Sequence, residues 1–274
     1  NLNLGVEIEI PAKIEKEGII AVSGSVLAGI FSNFFQNEKI FFEEENGNLI
    51  IKTNKNKIKL KAQPQDNFPT IPIVSGKSFK IDTQKLINGI KSVYYSSSVS
   101  DIKPEISSIY IYYNEDNLVF VSTDSFRLAE KKIKIKGIEE INGILIPYKN
   151  ISEIIRIFND DTGEINVCFS KNQISFSSNS IYLTSRIIDG VFPDYRQIIP
   201  KEHKTEVVLL KQDLLNALKL SNVFSDKFNQ INFLLKPNEK IFEIFSSNKD
   251  IVKHKTLLDT TLEGEDIQLG LNYK

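Results

Sequence analysis

Side chains that perform covalent catalysis are scarce in this chain of 274 residues. The histidines are His203 and His254, and the cysteine is Cys168. Neither histidine has the spacing to other residues that a metal site or a catalytic triad would need. The sequence also lacks a Gly-rich loop of the kind that binds phosphates or dinucleotides. We therefore expect no catalytic residue, no metal and no cofactor, and an enzyme is the least favoured function.

Two segments carry residue types suited to binding instead. Residues 122–129 read STDSFRLA, and residues 189–200 read DGVFPDYRQIIP. Each combines apolar side chains with Asp and Arg, a mixture that can hold the apolar anchor of a peptide and orient its backbone. The same residues could instead form turn and packing segments, because Phe-Pro restricts the chain and Asp124 or Asp194 can cap a turn. The residues alone leave both interpretations open.

Amphipathic helices predicted at 82–93, 149–158 and 211–222 carry basic residues away from their apolar faces. These apolar faces consist of Leu86, Ile87, Ile90 and Val93 in the first helix, Ile151, Ile154, Ile155 and Phe158 in the second, and Leu214, Leu215 and Leu218 in the third. The basic residues are Lys85, Lys91, Lys149, Arg156, Lys211 and Lys219. A fourth predicted helix, 23–36, has no basic residue. Such side chains usually form only a solvated face, but they could also attract DNA.

Composition points to a globular protein. The chain is 41% hydrophobic and 25% charged, with a net charge of −1. That balance argues against nucleic-acid binding by bulk charge, although it allows a local basic face. We find no signal peptide and no apolar run near the length of a membrane span, so we expect a cytoplasmic protein without a membrane partner.

The elements that must position these residues form an internal repeat with a period of about 124 residues. Residues 40–69 and 165–193 both read as three strands separated by Asn-containing turns and end in Phe-Pro. A strand and helix at 79–93 correspond to 207–223, and a predicted hairpin at 107–125 corresponds to 229–248.

The phase of this repeat divides the chain into three parts. Residues 73–200 contain a complete unit, which is itself a doubled motif. Residues 1–72 contain the second half of such a unit, and residues 201–274 contain the first half. Half a unit cannot bury a core alone. We therefore expect either that the halves pack on each other or that the parent protein is longer at both ends.

The two segments suited to binding both resemble segments of one known family. STDSFRLA resembles the ATDGHRLA segment of the bacterial DNA polymerase III beta subunit family, the sliding clamps, and DGVFPDYRQIIP resembles that family's DG-x-FPDYRRVIP segment. The repeat agrees as well, so the resemblance covers the whole chain. It implies an α+β fold, the DNA-clamp fold, in which repeated units place antiparallel sheets outside and two helices on the inner face.

The resemblance also implies a ring. Double-stranded DNA would be held inside the ring without sequence specificity. The protein partners would be the DNA polymerase III alpha subunit, the clamp loader and other proteins with a clamp-binding motif. At full length, a second copy of the chain would complete a head-to-tail homodimer. The six basic helix residues would face the DNA, and Lys149, after Pro147, matches a DNA-contacting Lys of the family.

The family's pocket for partner peptides maps onto this chain residue by residue. The corresponding positions are Ile106, Thr123, Ser125, Phe126, Arg127, Leu128, Pro193, Gln197, Ile198, Phe228 and Asn272. Ser125 and Phe126 replace the family's Gly-His, and Gln197 replaces an Arg, so the polar rim departs from the family pattern. Two functions follow as alternatives: a sliding clamp that tethers a polymerase to DNA, or a repeat-built peptide-binding adaptor that does not encircle DNA.

Overall fold

The computed structural model describes residues 3–34, 38–64, 68–100, 102–138, 141, 143–225, 227–248 and 251–273. The chain forms two compact units, Asn1–Pro193 and Asp194–Lys274. Among the described residues, no helix is long and apolar enough to span a membrane. The predicted division into parts 1–72, 73–200 and 201–274 stays a prediction.

Within its described residues, the first unit contains twelve strands and three helices. In chain order these are β1 (Leu4–Ile8), α1 (Gly24–Phe31), β2 (Phe41–Glu45), β3 (Asn48–Lys52), β4 (Lys57–Lys61), β5 (Lys77–Asp82), α2 (Thr83–Tyr94), β6 (Ser108–Asn114), β7 (Asn117–Thr123), β8 (Leu128–Lys134), β9 (Ile144–Pro147), α3 (Tyr148–Phe158), β10 (Glu164–Phe169), β11 (Gln173–Ser177) and β12 (Ile181–Arg186). From β5 to β12 the order is strand, helix and three strands, repeated twice, which confirms the predicted doubled motif.

The strands described for this unit pair antiparallel in three sheets. Their orders are β1-β12-β11-β10-β5, β8-β7-β6-β9 and β2-β3-β4. The meander β2-β3-β4 repeats the meander β10-β11-β12, as the similarity of residues 40–69 and 165–193 predicts. Strand β1 pairs with β12 from Leu4↔Ser185 to Ile8↔Ile181, so β1 extends the sheet formed by β5 and β10 to β12.

Helices α2 and α3 pack against each other over one hydrophobic core. The predicted apolar face of α2 is buried in full, because Leu86, Ile87, Ile90 and Val93 recur at helical spacing. The Asp82 carboxylate caps the N-terminus of α2 by accepting a hydrogen bond from the amide of Lys85 at 2.9 Å. In α3 the prediction holds at three positions, while Ile155 is half-buried.

Helix α1 is shorter than predicted. It ends at Phe31, while the sequence pattern suggested 23–36. The side chains of Ser32 and Asn33 both donate hydrogen bonds to the Gly29 carbonyl, at 2.9 and 2.7 Å. Such side-chain bonds satisfy a carbonyl of the last turn and compete with continuation of the helix. Phe34, which lies within the predicted helix 23–36, therefore falls beyond α1, and no side chain within α1 is buried.

The second unit begins with a short 3-10 helix, Tyr195–Ile198. It continues through β13 (Thr205–Leu209), α4 (Lys211–Val223), β14 (Gln230–Lys236), the 3-10 turn Pro237–Glu239, β15 (Ile241–Asn248), β16 (Ile251–Leu258), β17 (Thr260–Gly264) and β18 (Ile267–Asn272). Its sheets have the orders β13-β17 and β16-β15-β14-β18.

The predicted apolar face of α4 is wrong at one position. Leu214 and Leu218 pack on the core of this unit, but Leu215 is exposed. The buried positions of α4 are Ala217 and Ser221. The hydroxyl of Ser246 on β15 donates a hydrogen bond to the Ser221 carbonyl at 2.7 Å, which places this side of α4 against the sheet.

Candidate functional site

The segment 123–128 is a tight turn between β7 and β8. Thr123 and Leu128 are the last cross-strand pair before the turn. The Thr123 hydroxyl, which is buried, donates a hydrogen bond to the Arg127 carbonyl at 2.8 Å and accepts one from the Ser125 amide at 3.2 Å. Thr123 therefore holds both ends of the turn.

Asp124 organises the same turn from its outer side. Its carboxylate accepts hydrogen bonds from the amides of Phe126 and Arg127, both at 3.0 Å, and from Arg127 Nε at 2.9 Å. Burial acts to raise the pKa of the Asp124 carboxyl, but these hydrogen bonds and the Arg127 charge outweigh burial and leave the pKa below its ordinary value. The turn-capping interpretation of Asp124 is confirmed. The sequence signal for it was the aspartate itself, because Asp side chains commonly cap turns.

The turn presents its next residues outward. Ser125 is exposed, and the Phe126 side chain is 98% exposed. Leu128 is half-buried at the start of β8. A rigid turn thus displays one fully exposed aromatic ring beside a partly exposed leucine. An apolar ligand could cover both, because exposed large apolar side chains grouped together often mark interaction surfaces.

Ile106 and Pro193 complete the predicted pocket residues of the first unit. Ile106 is half-buried, and its carbonyl accepts hydrogen bonds from the Ser98 amide at 3.0 Å and the Ser97 hydroxyl at 3.2 Å. Pro193 is exposed. The ring of Phe192, just before it, is buried and stacks on Tyr110 with ring centroids 4.9 Å apart. The Phe-Pro pair therefore has a buried packing residue and an exposed proline.

In the second unit, Gln197 and Ile198 lie on the short 3-10 helix. Gln197 Nε2 donates a hydrogen bond to the Asp194 carboxylate at 2.6 Å, while Tyr195 is buried and anchors the turn. Ile198 points to solvent with 70% of its surface exposed. A partner could pack an apolar side chain on Ile198 without displacing any core residue.

Phe228 and Asn272 lie together in the second unit. Asn272, at the end of β18, donates a hydrogen bond from Nδ2 to the Phe228 carbonyl at 3.1 Å. The Phe228 ring is 65% exposed, and the ammonium group of Lys227 lies 5.1 Å from its centroid. The structure thus brings these two predicted residues into direct contact. The cation over the ring was not predicted, although adjacent Lys and Phe in the sequence hinted at it.

The six basic helix residues are all exposed, as their positions outside the apolar faces predict. They differ in whether their positive groups already interact with other side chains of the protein. Arg156 forms an ion pair with Glu153 at 2.6 Å, and the Lys91 ammonium donates a hydrogen bond to Asn159 Oδ1. Part of the charge of α3 is therefore already balanced within the helix.

The two histidines lie outside any catalytic arrangement in the described part of the chain. His203 is exposed and lies 3.3 Å from Glu206, and His254 Nε2 lies 3.0 Å from the Thr256 hydroxyl. Among the described residues, no group of three or more His, Cys, Asp or Glu side chains is placed to hold a metal ion.

Comparison with known proteins finds a matching family model in each of the two units. Residues 80–194 match the family described as DNA polymerase III beta subunit, central domain, and residues 196–274 match its C-terminal domain. A beta sliding clamp of Bacillus subtilis is 26% identical over 285 residues, which is 99% of this chain and 75% of the relative. A beta sliding clamp of Staphylococcus aureus is 22% identical over 282 residues, covering 99% of this chain and 74% of the relative.

Solved structures agree with these sequence matches. The DNA polymerase III beta subunit of Thermotoga maritima superposes with a TM-score of 0.89 at 25% identity, covering 100% of this chain and 74% of that one. The DNA polymerase III subunit beta of Pseudomonas aeruginosa superposes with a TM-score of 0.87 at 23% identity, covering 100% and 75%.

Proposed function

Because this chain belongs to the DNA polymerase III beta subunit family, we propose that it is a sliding clamp, a non-catalytic processivity factor that encircles duplex DNA and tethers a polymerase. One observation carries this conclusion: residues 80–194 and 196–274 match two successive domains of that family. The superposition on solved beta subunits at TM-scores of 0.87 to 0.89 confirms the predicted α+β clamp fold. The alternative is a repeat-built adaptor that binds peptides but does not encircle DNA.

The proposed interaction with DNA needs little affinity. A ring holds its duplex by enclosure, so weak contacts to phosphates suffice and leave the ring free to slide. Such contacts suit the exposed basic side chains of the helices, because exposed cations attract phosphates without reading base sequence. These side chains include Lys85, Lys211, Lys219 and the basic residues of α3. A net charge of −1 for the whole chain does not oppose this, since only the charges near the DNA matter.

Partner proteins would be held by the predicted pocket residues. In the first unit the turn 123–128 offers Leu128 and Phe126 on a backbone that is fixed by Thr123 and Asp124. In the second unit, Ile198 and Phe228 are exposed apolar residues on rigid supports. An apolar peptide side chain gains most where such groups are already ordered, because little entropy is lost on binding. The polymerase alpha subunit and the clamp loader are the proposed partners.

Retention on circular DNA tests enclosure directly. We expect the labelled protein, loaded by a clamp loader and ATP onto nicked circles, to co-elute with the circles in gel filtration. Cutting the circles with a restriction enzyme should release it, because a ring slides off a free end. Protein mixed with DNA of the same length that was linear from the start is the control. Equal loss from circular and linear DNA would favour the adaptor.

Leu128→Lys tests the peptide pocket. A charged side chain at this half-buried position would have to be desolvated beneath the apolar anchor, so the affinity for a Leu/Phe-containing polymerase tail peptide should fall at least tenfold. Ile14→Lys makes the same change at a residue of the first unit that is 73% exposed and lies outside the site, and it should leave the affinity unchanged. If both variants bind like the parent chain in isothermal titration calorimetry, the pocket has been misplaced.

A further inference from the structure

A recess in the first unit is lined by none of the residues of the turn 123–128. It is a cavity of about 220 Å³ between β1, the segment Phe68–Pro72 and β12. Its apolar lining includes Leu4, Val6, Phe68, Pro69 and Ile71. The volume lies below the range of roughly 300–1,000 Å³ typical of small-molecule and cofactor sites. It suits one large side chain better than a whole metabolite.

The repeat relates this cavity to the proposed peptide pocket. Pro69 corresponds to Pro193 one period later, and Leu4 lies the same period of about 124 residues before Leu128. The cavity is therefore lined partly by residues that lie one repeat period before two residues that the proposed function assigns to partner binding. The two copies differ at the aromatic ring: Phe192 is 7% exposed, whereas Phe68 is 68% exposed at the cavity. An exposed ring at this place is available to pack on a ligand.

The inner wall of the cavity has features that packing alone does not explain. Thr184 is 3% exposed, and its hydroxyl oxygen has no hydrogen-bond partner among the described residues. Buried polar atoms are normally satisfied, and those that are not call for an explanation such as a missing hydrogen-bonding partner, which the backbone of a bound peptide could supply. Gly5 lies opposite: a Cβ there would come within 3.3 Å of methyl carbons of both Ile71 and Thr184. The glycine thus keeps the space between these two side chains open.

The rim of the cavity is basic. Arg186, which is exposed, lines both the cavity and an adjoining open groove. That groove also contains Lys171, with Asp189 as its acidic residue. The balance of charge at the rim is therefore positive, and an acidic group beside the anchor would be favoured there.

We propose that this cavity is a second docking site for a short linear peptide, which inserts one Leu or Phe side chain between Gly5, Phe68 and Ile71 and sets an acidic residue against Arg186. The proposal rests on the proposed function, because it extends the same mode of recognition to the repeat-related place. A protein with two anchoring segments could then occupy both sites of one chain at once, which raises its effective affinity without any new contact.

Photo-crosslinking locates both sites in a single experiment. The probe is the acetylated pentapeptide SELFG with photoleucine in place of its leucine, and cross-links are mapped by mass spectrometry after digestion. We expect one set of cross-links on residues 3–6 or 68–72 and another on residues 123–128. Arg186→Glu should lower the yield of the first set about tenfold. Lys80→Glu, an exposed change of equal charge on β5 of the same sheet, should leave that yield unchanged.

Different outcomes overturn different claims. Absence of cross-links on 3–6 and 68–72 in the parent chain, or equal yields from Arg186→Glu and Lys80→Glu, would overturn the second site while cross-links on 123–128 uphold the first. Cross-links at the cavity alone would overturn the pocket of the proposed function and uphold the second site. Phe68→Ser, which removes an exposed ring, gives an independent check, because it should abolish the cavity cross-links without affecting those on the turn.

Discussion

Ser125 adopts a backbone conformation that its side chain disfavours. Its φ is +76°, in the left-handed region where a Cβ crowds the backbone. The hydrogen bonds of Thr123 and Asp124 fix the turn around it and impose this conformation. The sliding clamps that the segment resembles have glycine here, which enters this region without strain. Serine in place of the family's glycine therefore raises the free energy of the folded turn, and the surrounding hydrogen bonds offset this cost.

Replacing Ser125 should therefore stabilise the protein. We expect Ser125→Gly to raise the free energy of unfolding by about 0.5–1 kcal/mol, since relief of left-handed strain exceeds the added freedom of glycine in the unfolded chain. The midpoint of urea unfolding measures this. Ser125→Ala is the control, because alanine keeps the Cβ and the strain. An equal gain from alanine would show that the serine hydroxyl, and not the backbone, is responsible.

Asp124 should make the stability of the turn depend on pH. Its pKa in the folded protein lies below its value in the unfolded chain, so its contribution to stability is complete above the unfolded value of about 4 and is lost as the pH falls through the folded value. Asp124→Asn should cost about 1 kcal/mol near neutral pH. The difference in unfolding free energy between the parent and Asp124→Asn should stay level from pH 7 to 5 and shrink below pH 4. A difference that stays constant down to pH 2 would contradict the role of the carboxylate.

Sequence reasoning could place several residues of the proposed pocket at one turn, but it could not foresee the cavity beside Pro69. Thr123, Asp124 and Leu128 could be placed at one turn because they are neighbours in the chain. The cavity beside Pro69 could not be foreseen, because Gly5 and Thr184 come from distant segments that meet only through the pairing of β1 with β12. Both repeat copies end in Phe-Pro, so nothing local indicated that Phe68 would be exposed while Phe192 is buried.

At the scale of elements, α2 contains a glycine where helix propensity disfavours one. Gly89 is buried, and a Cβ there would lie 2.6 Å from Phe120 Cε2 and 2.9 Å from Ile133 Cδ1. The absence of a side chain lets α2 approach the sheet closely enough to bury Ile90 and its neighbours. Tertiary packing therefore overrides local propensity at this position.

Gly89→Ala should destabilise the protein despite favouring the helix. The better propensity gains about 1 kcal/mol, but overpacking against Phe120 costs about 1–3 kcal/mol, so we expect a net loss of roughly 1 kcal/mol. Thermal unfolding followed by circular dichroism measures this loss. Asn88→Ala, on the exposed side of the same helix, should instead be neutral or slightly stabilising. A higher melting temperature for Gly89→Ala would show that the sheet can relax around the methyl group.

The sequence predicted the elements best where their pattern allowed one interpretation. In α2 the four apolar residues recur on a single stripe, and all are buried. In α4 the run from Leu214 to Leu218 offers apolar residues on two adjoining stripes, so periodicity alone could not tell that Ala217 would be buried and Leu215 exposed. The end of α1 depends on Ser32 and Asn33. Their side chains donate hydrogen bonds to the Gly29 carbonyl and so compete with the continuation of the helix, which only the structure shows.

At the scale of the whole molecule, the distribution of charge matters more than its sum. The net charge of −1 hides lysines on the helices and another set on the exposed edge strand β4, namely Lys57, Lys59 and Lys61. Lysines on an edge strand commonly block pairing with another sheet, which gives the β4 set a different purpose. The proposed function assigns DNA contact to the helix set, so the two sets should behave differently toward DNA.

Salt dependence can separate these two sets of lysines. Binding to a short linear duplex weakens with salt by a slope of about 0.9 for each phosphate neutralised, so replacing Lys85, Lys211 and Lys219 by Gln should lower the slope by about 2.7 in fluorescence anisotropy. The same replacements at Lys57, Lys59 and Lys61 change the net charge equally but should leave the slope nearly unchanged. Retention on closed circles should hardly respond to salt in either variant, because enclosure does not depend on charge. If the β4 replacements lower the slope as much as the helix replacements, DNA would be sensing bulk charge and the helices would not form the DNA-facing surface.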